Sequence, residues 1–152
     1  MTSSLPLSAR VGGKGLRLYL DSYVLIYALE GFGRFRTHTL QQLEQYASDQ
    51  WVISDLVRME CLVGALKADD QLRLLAFRSF FSDCEVLPLT AEVFDLAARW
   101  RAEQRLSTAD ALHLAAALHG GCDALLSNDR AFQLDAPPLT LLRLNQDPKP
   151  EL

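Results

Sequence analysis

The chain has 152 residues and a net charge of −4, and hydrophobic residues make up 49% of it. This balance fits one globular domain with a sizeable core. It gives no support to nucleic-acid binding but does not exclude it, because carboxylates at a metal site would lower the net charge of a nucleic-acid enzyme. Three widely spaced cysteines without a CxxC pair argue against a zinc or disulfide framework and favour buried thiols in a reducing cytoplasm.

The two ends of the chain differ in composition from the part between them. Residues 1–15 are rich in Ser and Gly and lack the apolar core of a signal peptide, so they are predicted to be a flexible leader. Residues 146–152 are predicted to be a loose tail. The apolar segment 111–128 contains His, Gly and Cys and is predicted to form a helix, a turn and a strand instead of a membrane span. A globular domain is therefore expected at 16–145, in the cytoplasm and without a membrane partner.

Short apolar runs alternate with amphipathic segments along the chain. The apolar runs are predicted to be strands, at 16–20, 51–54, 85–89, 123–127 and, as a candidate fifth strand, 139–144. The other segments are predicted to be helices, at 22–31, 37–50, 54–67, 69–84, 90–104 and 107–120. Ser54 and Thr90 are suitable N-caps, and Gly31 and Gly120 are suitable helix stops. The pattern indicates an α/β fold with a mainly parallel sheet of four or five strands and helices on both faces.

Two carboxylates directly follow predicted strands. Asp21 comes after the strand at 16–20, and Asp129 comes after the strand at 123–127. Ligands bind beyond the carboxyl ends of the strands in such sheets. If the two strands are neighbours, both carboxylates therefore face one crevice.

Two more acids lie near the starts of helices that follow strands. Glu60 lies in the second turn of the helix at 54–67, on the border of the apolar stripe, where a half-buried carboxylate needs a partner. Asp110 lies in the first turn of the helix that begins at Ser107 or Thr108. Like charges roughly 4 Å apart repel by about 4 kcal/mol at an effective dielectric constant near 20. A divalent cation would offset this repulsion, and oxygen ligands with no Cys or neighbouring His favour Mg²⁺ or Mn²⁺ over zinc.

Each acid also has a structural explanation. Asp21 could cap the helix that follows it, and Asp110 has the capping-box spacing from Ser107. Asp129 could be a turn residue, and Glu60 could extend over the surface. A metal site that all four acids share is the alternative. It would also supply chemistry, because a metal-activated water can hydrolyse a phosphodiester with no Ser, Cys or His nucleophile.

Three segments resemble, in order and spacing, the motifs of PIN-domain ribonucleases, and in particular of VapC-type toxins of bacterial toxin–antitoxin pairs. They are YLDSYVLIYALEG, ISDLVRMECLVG and LSTADALHLAAALHGGCDALLSNDRAF, within residues 17–145. The resemblance implies that the catalytic and metal-binding acids are Asp21, Glu60, Asp110 and Asp129. It also implies Mg²⁺- or Mn²⁺-dependent endonucleolytic cleavage of RNA that leaves a 5′-phosphate. Its implied partners are a cognate antitoxin and a second copy of the chain.

Further polar residues near the acids are candidates for contacts with the metal site or with RNA. Ser127 stands where family members commonly have Thr, and Tyr23 stands where many have Asn or another small polar residue. Tyr23 could hydrogen-bond in the site, stack on a base or narrow the pocket. Arg130 could hold a phosphate, and Ser22 could position the metal water or cap a helix.

The sequence allows two interpretations for His113 and two for Phe35. His113 lies one helical turn after Asp110 and is expected to pack between helices with one hydrogen bond, or alternatively to border the site. Arg34 and Arg36 flank Phe35, and basic residues beside an aromatic ring suit stacking on RNA. The preferred interpretation is nevertheless that Phe35 anchors in the core and both arginines are solvated.

Three functions are consistent with this sequence. The preferred hypothesis is a metal-dependent endoribonuclease that acts as a toxin. A non-catalytic PIN-fold module that binds a protein would use the acids as caps, but the presence of all four acids argues against it. A phosphotransfer domain with Asp21 as nucleophile would need a second Asp two residues later, where Tyr23 stands.

Overall fold

The computed structural model describes residues 15–31, 33–127 and 139–144. The strands in this part of the chain are β1 (Arg17–Leu20), β2 (Gln50–Ser54), β3 (Glu85–Leu87), β4 (Ala124–Ser127) and β5 (Thr140–Arg143). The helices are α1 (Ser22–Glu30), α2 (Gly33–Glu44), α3 (Asp55–Lys67), α4 (Gln71–Ser82), α5 (Ala91–Glu103) and α6 (Thr108–His119). The predicted leader, apart from Gly15, and the predicted tail lie outside the described residues.

The five strands form one parallel sheet in the order β3-β2-β1-β4-β5. The chain moves outward from β1 to β3 and then returns past β1 to β4. Right-handed crossovers are the rule between parallel strands, so this reversal brings α1–α4 to one face and α5 and α6 to the other. Accordingly α1, α3 and α4 contact one another, while α5 packs mainly on α6. The predicted α/β class, with a parallel sheet covered on both faces, is confirmed.

The central strands are buried because they carry consecutive apolar residues. Leu18, Tyr19 and Leu20 of β1 are at most 1% exposed, and all four residues of β4 are buried. Such continuous apolar runs suit a parallel sheet that helices cover on both sides. Tyr19 differs from its neighbours because it brings a hydroxyl group into this core.

Arg17 joins three strands at the end of the sheet where the strands begin. Its guanidinium donates two hydrogen bonds to Glu85 on β3, at 2.6 and 3.1 Å, and one to Gln50 on β2 at 3.2 Å. It also donates to the carbonyl of Gly120, after α6, at 2.9 Å. The hydrogen bonds from Arg17 lower the pKa of Glu85 below its ordinary value. This network fixes one end of the sheet and leaves the carboxyl ends of the strands for a site.

Helix α2 differs from its predicted span of 37–50, because it runs from Gly33 to Glu44. Gly33 has a φ of 53°, a conformation that glycine adopts without strain, and this allows the helix to begin at Gly33. At the other end, the Tyr46 carbonyl accepts a hydrogen bond from the indole of Trp51 at 3.0 Å. The amides just before this point bond to carbonyls three residues back, and the chain leaves the α-helical path there.

Phe35 does not anchor in the core, so that prediction is wrong. Its side chain lies in the first turn of α2 and is 56% exposed, and its ring centroid is 6.2 Å from that of Tyr27 on α1. Arg34 and Arg36 are also exposed, as expected. Phe35 is exposed because α2 begins at Gly33. This start places Phe35 in the first turn of α2, where it packs against Tyr27 of α1 and not against the core.

One of the two predicted N-caps takes another role. Thr90 accepts a hydrogen bond from the Val93 amide at 3.5 Å and caps α5 as predicted. Ser54 occupies the N-cap position of α3, but within the described residues its hydroxyl makes no capping hydrogen bond. It bonds instead to the hydroxyl of Tyr19 at 2.7 Å.

The three cysteines lie in different parts of the fold. All three cysteines are free thiols, and Cys61 and Cys122 are buried while Cys84 is half-buried. Among the helices of the described ranges, none is long and apolar enough to cross a membrane.

Candidate functional site

The candidate site lies where the order of strands reverses. Strands β1 and β4 are neighbours there, and the carboxyl ends of such a pair form the usual ligand crevice of an open α/β sheet. Asp21 follows β1 and its amide donates to the carbonyl of Leu126 at 3.1 Å. The hydroxyl of Ser127, the last residue of β4, donates to Asp21 Oδ2 at 2.8 Å. These two bonds fix the Asp21 carboxylate at the mouth of the crevice.

Asp21 is buried in a setting that disfavours its negative charge. The residue is 3% exposed. Burial raises the pKa of Asp21, and the charge of His113 and the hydrogen bond from Ser127 only partly oppose this. Asp21 occupies the N-cap position of α1, but within the described chain the N-cap hydrogen bond from its side chain is absent, so the capping explanation gains no support. Ser22 donates to Asp21 Oδ1 at 3.3 Å, and a nearby cation would favour the ionised form.

Glu60 reaches the same place from the second turn of α3. Its Oε1 accepts a hydrogen bond from Ser22 at 3.0 Å and contacts His113 Nε2 at 2.7 Å. Burial raises the pKa of Glu60, but the hydrogen bond and charge of His113 outweigh this effect, so the pKa lies below its ordinary value. The side chain is 28% exposed and has the polar partners that a half-buried carboxylate needs. The surface explanation for Glu60 is therefore wrong.

His113 lies at the centre of the cluster and is 2% exposed. Its Nε2 contacts Glu60 and lies 3.7 Å from Asp21 Oδ1, and its Nδ1 contacts the Tyr19 hydroxyl at 2.8 Å. The expectation of a packing histidine with one hydrogen bond is wrong, because two partners flank the ring. The expectation that no histidine neighbours the acids is also wrong. Its spacing from Asp110, one helical turn on α6, was the sequence signal for this position.

Tyr19 contacts the cluster from the core side, and no sequence signal pointed to it because it lies in an apolar strand. Nε2 of His113 donates to the acceptor Glu60; Nδ1 accepts from the Tyr19 hydroxyl when the ring is neutral and donates to the Tyr19 oxygen when the ring is protonated. The Tyr19 oxygen can in turn accept from Ser54. Burial raises the pKa of Tyr19 well above its ordinary value, which keeps its hydroxyl protonated. The chain of hydrogen bonds from Ser54 to Glu60 is thus continuous.

These side chains surround a pocket of about 200 Å³. The residues that line it are Asp21, Ser22, Tyr23, Glu60, Ser107, Ala109, Asp110 and His113. Potential ligand atoms of Asp21, Glu60 and His113 all lie within 4.8 Å of one another. Tyr23 is 47% exposed at the edge of the pocket, so part of its ring is open to a ligand.

Of the other predicted site residues, Asp110 is among those that the structure describes. Asp110 lines the same pocket, although among the described residues it is not one of the three close ligand groups. Its amide donates to the Ser107 hydroxyl at 3.1 Å, so Ser107 caps α6 and holds the start of this helix at the pocket. Asp129 and Arg130 lie outside the described residues.

The donor groups fit a divalent cation. Asp21 and Glu60, from different parts of the chain, approach each other in a largely buried pocket, and a cation between them would favour the ionised form of Asp21, whose pKa burial raises. Carboxylate oxygens are the ligands that Mg²⁺ and Mn²⁺ prefer. Glu60 already engages Nε2 of His113, so the oxygens of Asp21, Glu60 and Asp110 form the available ligand set.

A comparison with protein-family models gives one match, to the PIN domain, over residues 18–134. A search among curated proteins gives no significant match. The match includes the segments with Asp21, Glu60, Asp110 and Asp129, and it covers well over half of the chain.

Solved structures of similar fold come from toxin–antitoxin systems. The structure of DNA-bound VapBC from Salmonella typhimurium has a chain that is 21% identical, with a TM-score of 0.69 over 85% of this chain and 98% of that one. A toxin–antitoxin complex from Klebsiella pneumoniae gives 25% identity and a TM-score of 0.65 over 81% and 95%. VapC20 of Mycobacterium tuberculosis, described as a Sarcin-Ricin loop cleaving toxin, gives 16% and 0.57 over 71% and 86%. The family match and the shared fold together show that this chain belongs to the PIN-domain family.

Proposed function

We propose that the protein is a divalent-metal-dependent endoribonuclease and the toxin of a toxin–antitoxin pair. The observation that carries the proposal is the approach of Asp21 and Glu60 to each other in a pocket at the carboxyl ends of parallel strands. The description of VapC20, a protein of similar fold, as a cleaving toxin of the Sarcin-Ricin loop supports RNA as the substrate class.

The acids are proposed to hold the ion. Asp21, Glu60 and Asp110 would bind Mg²⁺ or Mn²⁺, with Asp129 as a fourth ligand. Such an ion lowers the pKa of a bound water and neutralises charge on phosphate oxygens. Its positive charge also allows an anionic RNA strand to enter an acidic pocket.

The residues around the acids are proposed to orient them before substrate arrives. Ser127 fixes one oxygen of Asp21, and Ser22 bridges Asp21 and Glu60. His113 holds Glu60 through a 2.7 Å hydrogen bond, which limits the rotation of that carboxylate. Ligands held in this way need little rearrangement during the reaction.

The proposed partners follow from the same family relationship. The complexes from Salmonella typhimurium and Klebsiella pneumoniae contain VapBC or a toxin–antitoxin pair, and this supports a cognate antitoxin as a partner of this chain. A homodimer is supported by exposed apolar side chains on α3 and α4, which include Met59, Leu66 and Leu75. Cellular RNA as substrate places the proposed activity in the cytoplasm. Arg130, next to Asp129, is proposed to contact a phosphate of the substrate.

A cleavage assay with total bacterial RNA tests the function. Wild-type protein with Mn²⁺ or Mg²⁺ should produce discrete new RNA ends that carry 5′-phosphates, and EDTA should abolish them. Asp21→Asn and Glu60→Gln should each lower the rate at least about a hundredfold, because each removes a metal ligand. Asp95→Asn, the same change at an exposed position of α5, should retain the wild-type rate.

Two results would contradict the proposal. One is the absence of any metal-dependent cleavage by the wild-type protein. The other is equal cleavage by the wild type and Asp21→Asn. A non-catalytic protein-binding module, the main alternative, predicts no cleavage and no effect of Asp21→Asn on partner binding.

A further inference from the structure

Three aromatic side chains form a row that begins at the acid pocket. Tyr23 lines that pocket, and its ring centroid is 6.1 Å from that of Tyr27, one turn further along α1. Tyr27 is in turn 6.2 Å from Phe35 in the first turn of α2. The outer members, Tyr23 and Phe35, are 47% and 56% exposed, while Tyr27 is half-buried between them. The row therefore leads from the acids to a second surface feature.

That feature is an open apolar groove of about 270 Å³ between α1 and α2. It is lined by Ile26, Tyr27, Glu30, Gly31 and Phe35. The groove and the acid pocket lie on the same helix, one turn apart, with Tyr23 at the pocket and Tyr27 at the groove. A strand that leaves the acids along α1 would pass over these rings.

The charges beside the groove favour a polyanion. The Glu30 carboxylate is paired with Arg73 on α4 at 3.1 Å, which offsets its negative charge. Arg36 donates from Nε to the Ala28 carbonyl at 3.1 Å, so its guanidinium is held against α1. Arg34 is exposed in the same turn of α2 as Phe35. Aromatic rings with arginines beside them are typical of surfaces that bind single-stranded nucleic acid.

We infer that Tyr23, Tyr27 and Phe35 form a stacking track for bases of single-stranded RNA next to the cleaved phosphodiester. The inference rests on the proposed function, and it adds the residues that bind bases and the form of RNA that they select. Neighbouring rings of the track are tilted by 41° and 31° to each other, so bases that stack on successive rings cannot remain parallel as in a duplex strand. The track thus suits splayed bases, and it tolerates any base because every base has an aromatic face.

The test measures binding of a fluorescein-labelled single-stranded RNA octamer to the full-length protein by fluorescence anisotropy, with Ca²⁺ in place of Mg²⁺. Phe35→Leu and Tyr23→Leu should each weaken binding by roughly five- to a hundredfold, which corresponds to the loss of one stacked base. Phe94→Leu is the matched control, because Phe94 is 50% exposed on α5, and it should change affinity less than about twofold.

An octamer with the same backbone and abasic sugars separates stacking from other effects. It should bind the wild type and Phe35→Leu equally, because it has no bases to stack. The inference is overturned if Phe35→Leu binds the normal octamer as the wild type does, or if it loses affinity for both octamers alike. It is also overturned if Phe35→Leu keeps its RNA affinity and loses binding to a co-expressed protein partner, since the groove would then serve that protein.

The outcome is independent of the cleavage assay. Metal-dependent cleavage by the wild type together with unaltered octamer binding by both leucine variants would overturn the stacking track and leave the nuclease function in place. A wild-type protein that neither cleaves RNA nor binds the octamer would overturn both. Thermal denaturation of each variant shows whether a loss of binding reflects unfolding.

Discussion

At the scale of single residues, the position of Glu60 depends on side chains behind it. His113 contacts Glu60 with one nitrogen and Tyr19 with the other, and Tyr19 contacts Ser54. Each group in this chain has a buried or half-buried polar atom that would lack a partner if its neighbour were removed. The site therefore extends below the acids into the core.

Deletion of the Tyr19 hydroxyl tests whether the buried side chains behind Glu60 support the site. Tyr19→Phe should lower the free energy of unfolding by about 1–3 kcal/mol, because it leaves buried polar atoms of His113 and Ser54 without their partner. It should also slow RNA cleavage, by about tenfold, through a less constrained Glu60. Urea denaturation and single-turnover cleavage measure the two effects. Tyr46→Phe, the same deletion near the start of β2, should leave cleavage unchanged, and equal effects of the two variants on cleavage would refute the positioning role.

The sequence revealed the acids of this site but not their support. Asp21 and Glu60 are predictable because a carboxylate after an apolar strand, or on the border of an apolar stripe, conflicts with its local pattern. Tyr19 produces no such conflict, since tyrosine is common in strands. For His113 the site was only the alternative interpretation, because its two hydrogen bonds depend on residues 53 and 94 positions away in the chain.

At the scale of elements, one set of hydrogen bonds joins the strands at one end of the sheet and another caps the start of α6. At the end where the strands begin, Arg17 connects β1, β2 and β3 through Gln50 and Glu85. At the opposite end, the cap of α6 holds Asp110 beside the pocket. Both networks can be altered without changing any of the proposed metal ligands.

The Arg17–Glu85 pair predicts a dependence of stability on pH. The pKa of Glu85 is lowered in the folded state from an ordinary value of 4.5, so the pair stabilises the fold above this pH and loses its effect as the pH falls through the lower, folded-state pKa. Glu85→Gln should therefore be less stable than the wild type at pH 7, by at most about 1 kcal/mol because the pair is partly exposed. The difference should shrink in urea denaturation as the pH falls below 4.5 and through the folded-state pKa of Glu85. A difference that is constant from pH 7 to pH 3 would show that the charge is not responsible.

The cap of α6 predicts an effect on both stability and activity. Ser107→Ala should cost about 1 kcal/mol of unfolding free energy, because the amide of Asp110 loses its acceptor. It should also reduce RNA cleavage, since the first turn of α6 frays and Asp110 moves from the pocket. Thr90→Ala removes the equivalent cap of α5 and should cost similar stability without reducing cleavage. Parallel measurement of thermal unfolding and cleavage separates the two, and a loss of cleavage in Thr90→Ala of the same size would contradict the proposed role of Asp110.

Element types were predictable, and the exact ends of α2 were not. Helical periodicity identifies α2 but does not reveal that Gly33 adopts a positive φ and starts the helix early. Nor does it reveal the hydrogen bond from the Trp51 indole that holds the chain outside the helix at Tyr46. Both depend on contacts between elements, whereas periodicity reports only the local face of one helix.

At the scale of the whole molecule, the site depends on which strands are neighbours. The alternation of strands and helices predicts a parallel sheet, but it does not specify that β4 pairs with β1. The reversal of strand order after β3 creates this pairing and brings Ser127 to Asp21. The sequence analysis required that β1 and β4 be neighbours for Asp21 and Asp129 to face one crevice, and the two strands are neighbours.

The exposed apolar side chains of α3 and α4 predict the oligomeric state. Met59, Val63 and Leu66 follow helical spacing on one face of α3, and they are 42–58% exposed. We expect the protein to sediment as a homodimer and Leu66→Glu to sediment as a folded monomer, because a charge in a buried apolar interface is costly. Phe94→Glu, on α5, should remain dimeric. A wild-type monomer at micromolar concentration would contradict the prediction.

The central claim is that the acids of the pocket share one divalent cation, and crystals soaked in MnCl₂ test it most directly. The account predicts an anomalous difference peak between the carboxylates of Asp21 and Glu60, and no such peak in crystals of Asp21→Asn. A peak of manganese elsewhere on the surface with none in this pocket, or an undiminished peak in Asp21→Asn, would contradict it.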